Sequence, residues 1–276
     1  MGIVDFILNL AGLLLWLNWR STRFDPLIKR LPATLMGTLR PATAQRLRPW
    51  HLPLFLAGLL LLRAVIYWWI GSAVNWTARL DMGVMVLSFR SDWFGRILTY
   101  SFASFGLALG ILYLVLLFLS LLAGPDPIQR LVKIPLGRVD GWPKAVKIIL
   151  PFVITAPAWW LACWWLAWLQ IIPHPASPWE RIADSLVIGL RSYLVWKFPA
   201  AAILILHLLS SYIYFGTHPL WNYVRTTART LLQPLDKIPL RVGRVDFAPI
   251  VAVAVLFFAA ELAAHGLDWL YARHIF

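Results

Sequence analysis

The chain has 276 residues, 61% of them hydrophobic and 13% charged, with a net charge of +13 at pH 7. Soluble domains hold about 45–50% apolar residues, whereas apolar runs of the ~20 residues that cross a bilayer core recur here, which excludes an ordinary soluble enzyme and predicts a multi-pass helical membrane protein. A barrel would show short alternating segments, and the positive charge gathers in loops beside apolar runs, where head groups rather than nucleic acid account for it.

Six spans are predicted, at 4–19, 51–71, 96–122, 146–171, 198–216 and 249–271. The first lacks a positive n-region, carries Asp5 and shows no small-residue cleavage site, so it reads as a retained helix and not a signal peptide. Segments 20–50, 124–147 and 217–247 together hold 17 of the 25 Lys and Arg residues. Positive loops stay cytoplasmic, so these three are expected inside and both termini outside.

Span two carries Arg63 within LLLLRAVIYWW. A charge at that depth costs a few kcal/mol even on insertion scales, roughly 2.5–3.5, so it needs a partner. Glu261, in LFFAAELAAHGL of span six, is a candidate, because Arg63 and Glu261 lie 10 and 12 residues after Pro53 and Pro249 in spans of the same direction; the alternative is that each charge snorkels or meets water. Segment 76–91 is more than a turn, and its FRS at 89–91 echoes LRS at 190–192. Span four holds the sole cysteine, Cys163, so no disulfide forms within one chain. Many of the seventeen tryptophans sit in pairs near span ends, such as Trp68–Trp69, Trp159–Trp160 and Trp164–Trp165, where amphipathic indoles anchor at the head-group level.

Segment 182–197 places Ile182, Leu186, Leu190 and Tyr193 at helical spacing. With the following span it is too long for one crossing, so an outer interfacial helix is predicted, with a kink or break at Pro199. In span five, His207 lies at mid-depth while the other histidines fall near boundaries. One mid-span histidine suits an interhelical hydrogen bond better than haem ligation. Trp221, Val224, Ala228, Leu231 and Leu235 form an apolar stripe opposite Asn222, Arg225, Arg229 and Gln233. That predicts an amphipathic helix from Pro219, lying in the cytoplasmic head-group plane. In span six, Glu261, His265 and Asp268 share a face. One helix offers too few ligands for a metal, so this is read as a polar face with no metal.

One phrase occurs twice. Lys133, Pro135, Gly137, Arg138, Asp140 and Pro143 match Lys237, Pro239, Gly243, Arg244, Asp246 and Pro249, after a two-residue insertion in the second copy, and a span follows each. A degenerate copy, RPATAQRLRPWHLP, precedes span two. The chain therefore divides into three pseudo-repeated hairpins, 1–72, 73–172 and 173–276, the middle one lacking the amphipathic helix. Glycine allows the turn. The aspartates are placed to cap the following helix, and proline suits its first turn. Arg138 and Arg244 can reach phosphate head groups. The phrase thus reads either as a joint that launches a span or as a docking or anion site.

VGRVDFAP at 242–249 and HPLWNYV at 218–224 resemble the YggT/YlmG family of small integral membrane proteins, whose hairpin carries a proline-rich basic loop ending in G-x-D-F-S-P. GRVDGWP at 137–143 is a weaker match, and Ala248 stands where the family motif has serine. The resemblance implies no enzymatic activity and no cofactor. It implies a non-catalytic accessory, scaffold or assembly role in a membrane complex or in envelope organisation, in a bacterial cytoplasmic membrane. A small channel or transporter in osmotic or ion homeostasis is the alternative. The expected partners are anionic head groups and another membrane protein or a second copy of the chain. No catalytic, cofactor-binding or metal residue is assigned, and the intramembrane polar candidates are Arg63, His207, Glu261 and His265.

Overall fold

A computed structural model describes residues 2–24, 50–122, 129–173, 177–213, 219–235, 241–242 and 245–275. The protein is an all-α membrane protein with six helical segments long and apolar enough to cross a bilayer: Gly2–Ser21, His51–Val74, Phe94–Leu122, Lys144–Trp168, Pro178–Tyr212 and Ala248–Arg273. Five match the predicted spans to within a few residues, because a 20-residue apolar run leaves its backbone no hydrogen-bonding option in lipid but the helix. The fifth begins 20 residues earlier than predicted.

Contacts gather into two compact units, residues 1–80 with 86–110, and residues 81–85 with 111–276. This division differs from the three hairpins of the sequence pattern. The first unit holds α1 (Gly2–Phe24), α2 (His51–Val74), most of β1 (Thr77–Asp81), β2 (Val86–Arg90) and the start of α3 (Phe94–Leu122). Leu56, Leu60 and Phe105 form its apolar core, with Leu13 and Trp16 packed against them. Helix α2 ends at Asn75, whose left-handed φ of 49° turns the chain into β1. The short β-hairpin corrects the expected kinship of 89–91 with 190–192: the first lies in a strand and its exit, the second in a helix. Leu87 and Phe89 point inward and Val86, Ser88 and Arg90 outward, the period of two that defines a half-buried strand.

The second unit holds the end of α3, α4 (Gln129–Leu136), α5 (Lys144–Trp168), α6 (Pro178–Arg191), α7 (Lys197–Tyr212), α8 (Pro219–Leu232), β3 (Arg241–Val242), β4 (Val245–Asp246) and α9 (Ala248–Ile275). Helix α4 corrects the expectation that the middle hairpin has no amphipathic helix. It is short, and it buries Val132 and Leu136 against Leu117 and Leu150.

Helix α6 is also not separate from the span that follows it. It joins α7 through a 3₁₀ turn, Ser192–Trp196, as one helical segment. Pro199 falls in the first turn of α7, and the interruption of the α-helix lies just ahead of it, in the 3₁₀ turn. The segment runs back along α5, with the Tyr193 hydroxyl donating to the Ile148 carbonyl at 2.7 Å. At about 1.5 Å per residue its length exceeds the ~30 Å bilayer core, so it must tilt or protrude.

Two local features hold α6 in place. Ser177 caps it, its Oγ accepting from the Glu180 N–H at 3.3 Å, with Pro178 in the first turn. Ser177→Ala is expected to cost about 1 kcal/mol, read as a lower midpoint in thermal melts of detergent-solubilised protein. Gly189 faces Ala156 and Phe152 of α5, and a Cβ there would lie 2.9 Å from the Ala156 Cβ. Gly189→Val must therefore push α6 off α5, at a cost of about 1–3 kcal/mol by the same melts.

Helix α8 forms where predicted. Val224, Ala228 and Leu232 are buried and Arg225 and Arg229 exposed. Its apolar stripe packs on Ala200, Ile203 and Leu204 of α7 and Ala252 of α9. Protein rather than lipid therefore covers most of that face. In the first loop Pro26 and Pro41 stand 15 residues apart, as Pro219 and Pro234 do, and the amphipathic stretch expected between them lies outside the described residues.

Candidate functional site

Three helices of the first unit each present a pair of polar residues one turn apart. These are Asp5 and Asn9 on α1, Arg63 and Tyr67 on α2, and Tyr100 and Ser104 on α3. Residues at i and i+4 share a helix face, so three such faces can close into one network. Arg63, 2% exposed, is its centre. Its Nη2 donates to Asp5 Oδ1 at 2.6 Å and to Ser104 Oγ at 3.1 Å, and its Nη1 donates to Asn9 Oδ1 at 2.9 Å. The Tyr67 hydroxyl donates to Asp5 Oδ1 at 2.8 Å and the Tyr100 hydroxyl to Asp5 Oδ2 at 3.0 Å. Asn9 Nδ2 closes the ring by donating to Ser104 Oγ at 3.0 Å.

The guanidinium also lies 5.5 and 5.1 Å from the ring centres of Tyr67 and Tyr100, within reach of cation–π attraction. Phe89 of the β-hairpin and Trp76 pack on these two rings, at 5.4 Å from Tyr100 and 5.3 Å from Tyr67. Asp5 sits in the first turn of α1, where the helix dipole favours a carboxylate. The carboxylate that Arg63 takes is therefore Asp5, not Glu261. A cavity of about 420 Å³ opens beside it, lined by Gly2, Asp5, Trp76, Thr77, Arg79 and Tyr100.

Glu261 and His265 are exposed on α9, with the His265 ring nitrogen 3.6 Å from the Glu261 carboxylate and 3.0 Å from its carbonyl oxygen. Asp268 pairs with Arg191 of α6, and Gly83, with a positive φ, packs against the Arg191 guanidinium. His207 lies half-buried on α7, where its carbonyl accepts from the Ser210 hydroxyl at 2.8 Å.

The repeated phrase takes two different shapes. In the first copy Lys133 and Pro135 fall in α4, and Gly137, with φ 59°, leads a 3₁₀ turn, Gly137–Gly141, that carries Arg138 and Asp140. Pro143 then caps α5 by its backbone, with no side-chain cap. Asp140 thus does not cap the span as predicted. Its Oδ1 accepts from Ser120 Oγ at 2.6 Å and lies 3.7 Å from Lys147 Nζ, which itself donates to Ser120 Oγ at 2.7 Å. Lys147 is 5% exposed, one turn inside α5. Arg138 points to the exterior.

In the second copy, Arg241 and Val242 pair antiparallel with Asp246 and Val245. The two-residue insertion is thus the strand that turns the phrase into a β-hairpin. Val253 stands where the first copy has Lys147, so that tie to the aspartate is not available. Pro249 lies in the first turn of α9, as predicted. Lys237, Pro239, Gly243 and Arg244 lie outside the described residues.

Fold and site together define a helical multi-pass membrane protein whose intramembrane charges tie helices to one another. The family model described as CCB3/YggT matches residues 183–267, running from α6 into α9 and covering under a third of the chain. The match takes in HPLWNYV and VGRVDFAP and bears out the resemblance read from them; GRVDGWP lies outside it. No curated protein and no solved structure matches the chain.

Proposed function

We propose that this protein is a non-catalytic accessory or assembly component of a membrane protein complex, or of envelope organisation, in a bacterial cytoplasmic membrane, with both termini outside. The observation that carries the reading is how the polar groups of the spans are used. Arg63 with Asp5, Lys147 with Asp140, and Arg191 with Asp268 each join separate elements. A conducting path turns such groups toward water; here they hold a frame. The outward surface is apolar and aromatic. Trp160, Trp164 and Trp168, spaced one turn apart on α5, are 46%, 63% and 61% exposed. Indoles at that spacing offer a large, rigid ridge to a neighbouring transmembrane helix. On α8 the exposed Arg225 and Arg229 face anionic head groups.

The experiment is gentle solubilisation of native membranes, followed by sizing and identification of what co-migrates. A stoichiometric membrane protein, or a homo-oligomer, that is lost when Trp160 and Trp164 become alanine supports the reading. A monomer that conducts ions or solutes in liposomes overturns it in favour of a channel.

A further inference from the structure

We propose that the cavity beside Asp5 is a binding site for a phosphoethanolamine group, an ammonium and a phosphate two carbons apart. The cavity lies where α1 begins, α2 ends and β1 starts, which is the end of the apolar spans and so the head-group level on that side. Its lining carries groups of both signs, Asp5 and Arg79. Arg63 cancels the charge of Asp5, yet a carboxylate has about four acceptor positions, and Arg63, Tyr67 and Tyr100 fill three. Asp5 lines the cavity with Trp76 and Tyr100, which leaves one acceptor position for a ligand there. It suits an N–H donor with a positive charge.

Thr77 and Arg79 line the same cavity, and two residues apart on β1 they share one face of the strand. Arg79 is exposed on β1 and makes no ion pair among the described residues. With Asp5 neutralised inside the network, Arg79 is the uncompensated charge of the site, and a guanidinium beside a hydroxyl binds phosphate. A quaternary ammonium fits less well than a primary one. It has no N–H to donate to Asp5, and Arg63 already occupies ring face at Tyr100.

The test uses full-length protein, delipidated in detergent, with native mass spectrometry after adding phosphatidylethanolamine, phosphatidylcholine or phosphatidylglycerol. Phosphatidylethanolamine should be retained about tenfold more tightly than either other lipid, a charge-assisted hydrogen bond's worth of selectivity. Arg79→Ala should lower that retention about tenfold, and Thr77→Val less. Both residues lie outside the Arg63 network, and unchanged elution and melting verify that the variants are folded. Soluble glycerophosphoethanolamine separates the sources. Displacement of the lipid assigns the site to the head group from either source, and failure to displace assigns it to the bilayer lipid. Equal retention of the three lipids, or full retention by Arg79→Ala, overturns the proposal.

Discussion

Arg63→Ala is expected to lower stability by about 3–5 kcal/mol, the cost of breaking a buried ion pair by removing one partner. The substitution leaves the Asp5 carboxylate with two tyrosine donors and no cation, and strips Asn9 and Ser104 of their bonds to the guanidinium. Asp5→Ala should be similarly harmful, because it buries an unpaired guanidinium. The double variant Asp5→Ala, Arg63→Ala should cost clearly less than the two single effects added together. Removing both charges lifts two desolvation penalties at once. Tryptophan-fluorescence melts in detergent give all three values. Strict additivity would show that the pair is not coupled. Glu261→Gln is the control, expected to change stability by less than about 0.5 kcal/mol as an exposed substitution, since the Glu261 side chain is 65% exposed.

The second large effect is expected at Lys147. Lys147→Met keeps the apolar stem but removes one cation from beside Asp140 and a donor to Ser120. Asp140 is partly exposed, its side chain at 17%, so water softens the loss. A cost of about 2–3 kcal/mol follows for a charge-assisted partner removed from a part-buried group. Arg138→Ala, one residue type the repeated phrase makes conspicuous, should change stability by less than about 0.5 kcal/mol because the side chain is exposed. If Arg138→Ala proves the more damaging variant, the tie through Lys147 is not what holds this turn.

The two copies of the phrase show why a repeat in sequence need not be a repeat in shape. Gly-Arg-Val-Asp has no strong preference of its own, so its surroundings choose. In the first copy, α4 runs into the turn and Lys147 waits one turn into the next span for Asp140. In the second, Arg241 and Val242 supply a strand for Val245 and Asp246 to pair with. A two-residue insertion and a lysine replaced by valine are both visible in sequence, but their consequence depends on what lies beside the turn.

The network around Arg63 was half legible. That a buried arginine needs a partner follows from the cost of a charge in lipid. The spacing of Asp5 with Asn9, and of Arg63 with Tyr67, also stands in the sequence. Asp5 served there only as a mark against a signal peptide, although a carboxylate in an apolar span was itself the signal for the missing partner. Depth alone favoured Glu261 as much as Asp5. The β-hairpin at 77–90 was missed because its strands are short and lie between two spans, although Val86 to Arg90 alternates as a strand does.

The sequence by itself determined the helical membrane class, the positions of five of the six spans, the amphipathic helix from Pro219 and the likeness of the last hairpin to its family. Each depends on a pattern along one dimension: apolar length, helical period, or a string of residues. Only the tertiary structure decided which charge meets which, how α6 and α7 become one segment, and which shape each copy of the phrase adopts. Those outcomes depend on how each helix is rotated about its own axis and on which neighbour it packs against, and neither is written in the order of residues along a single span.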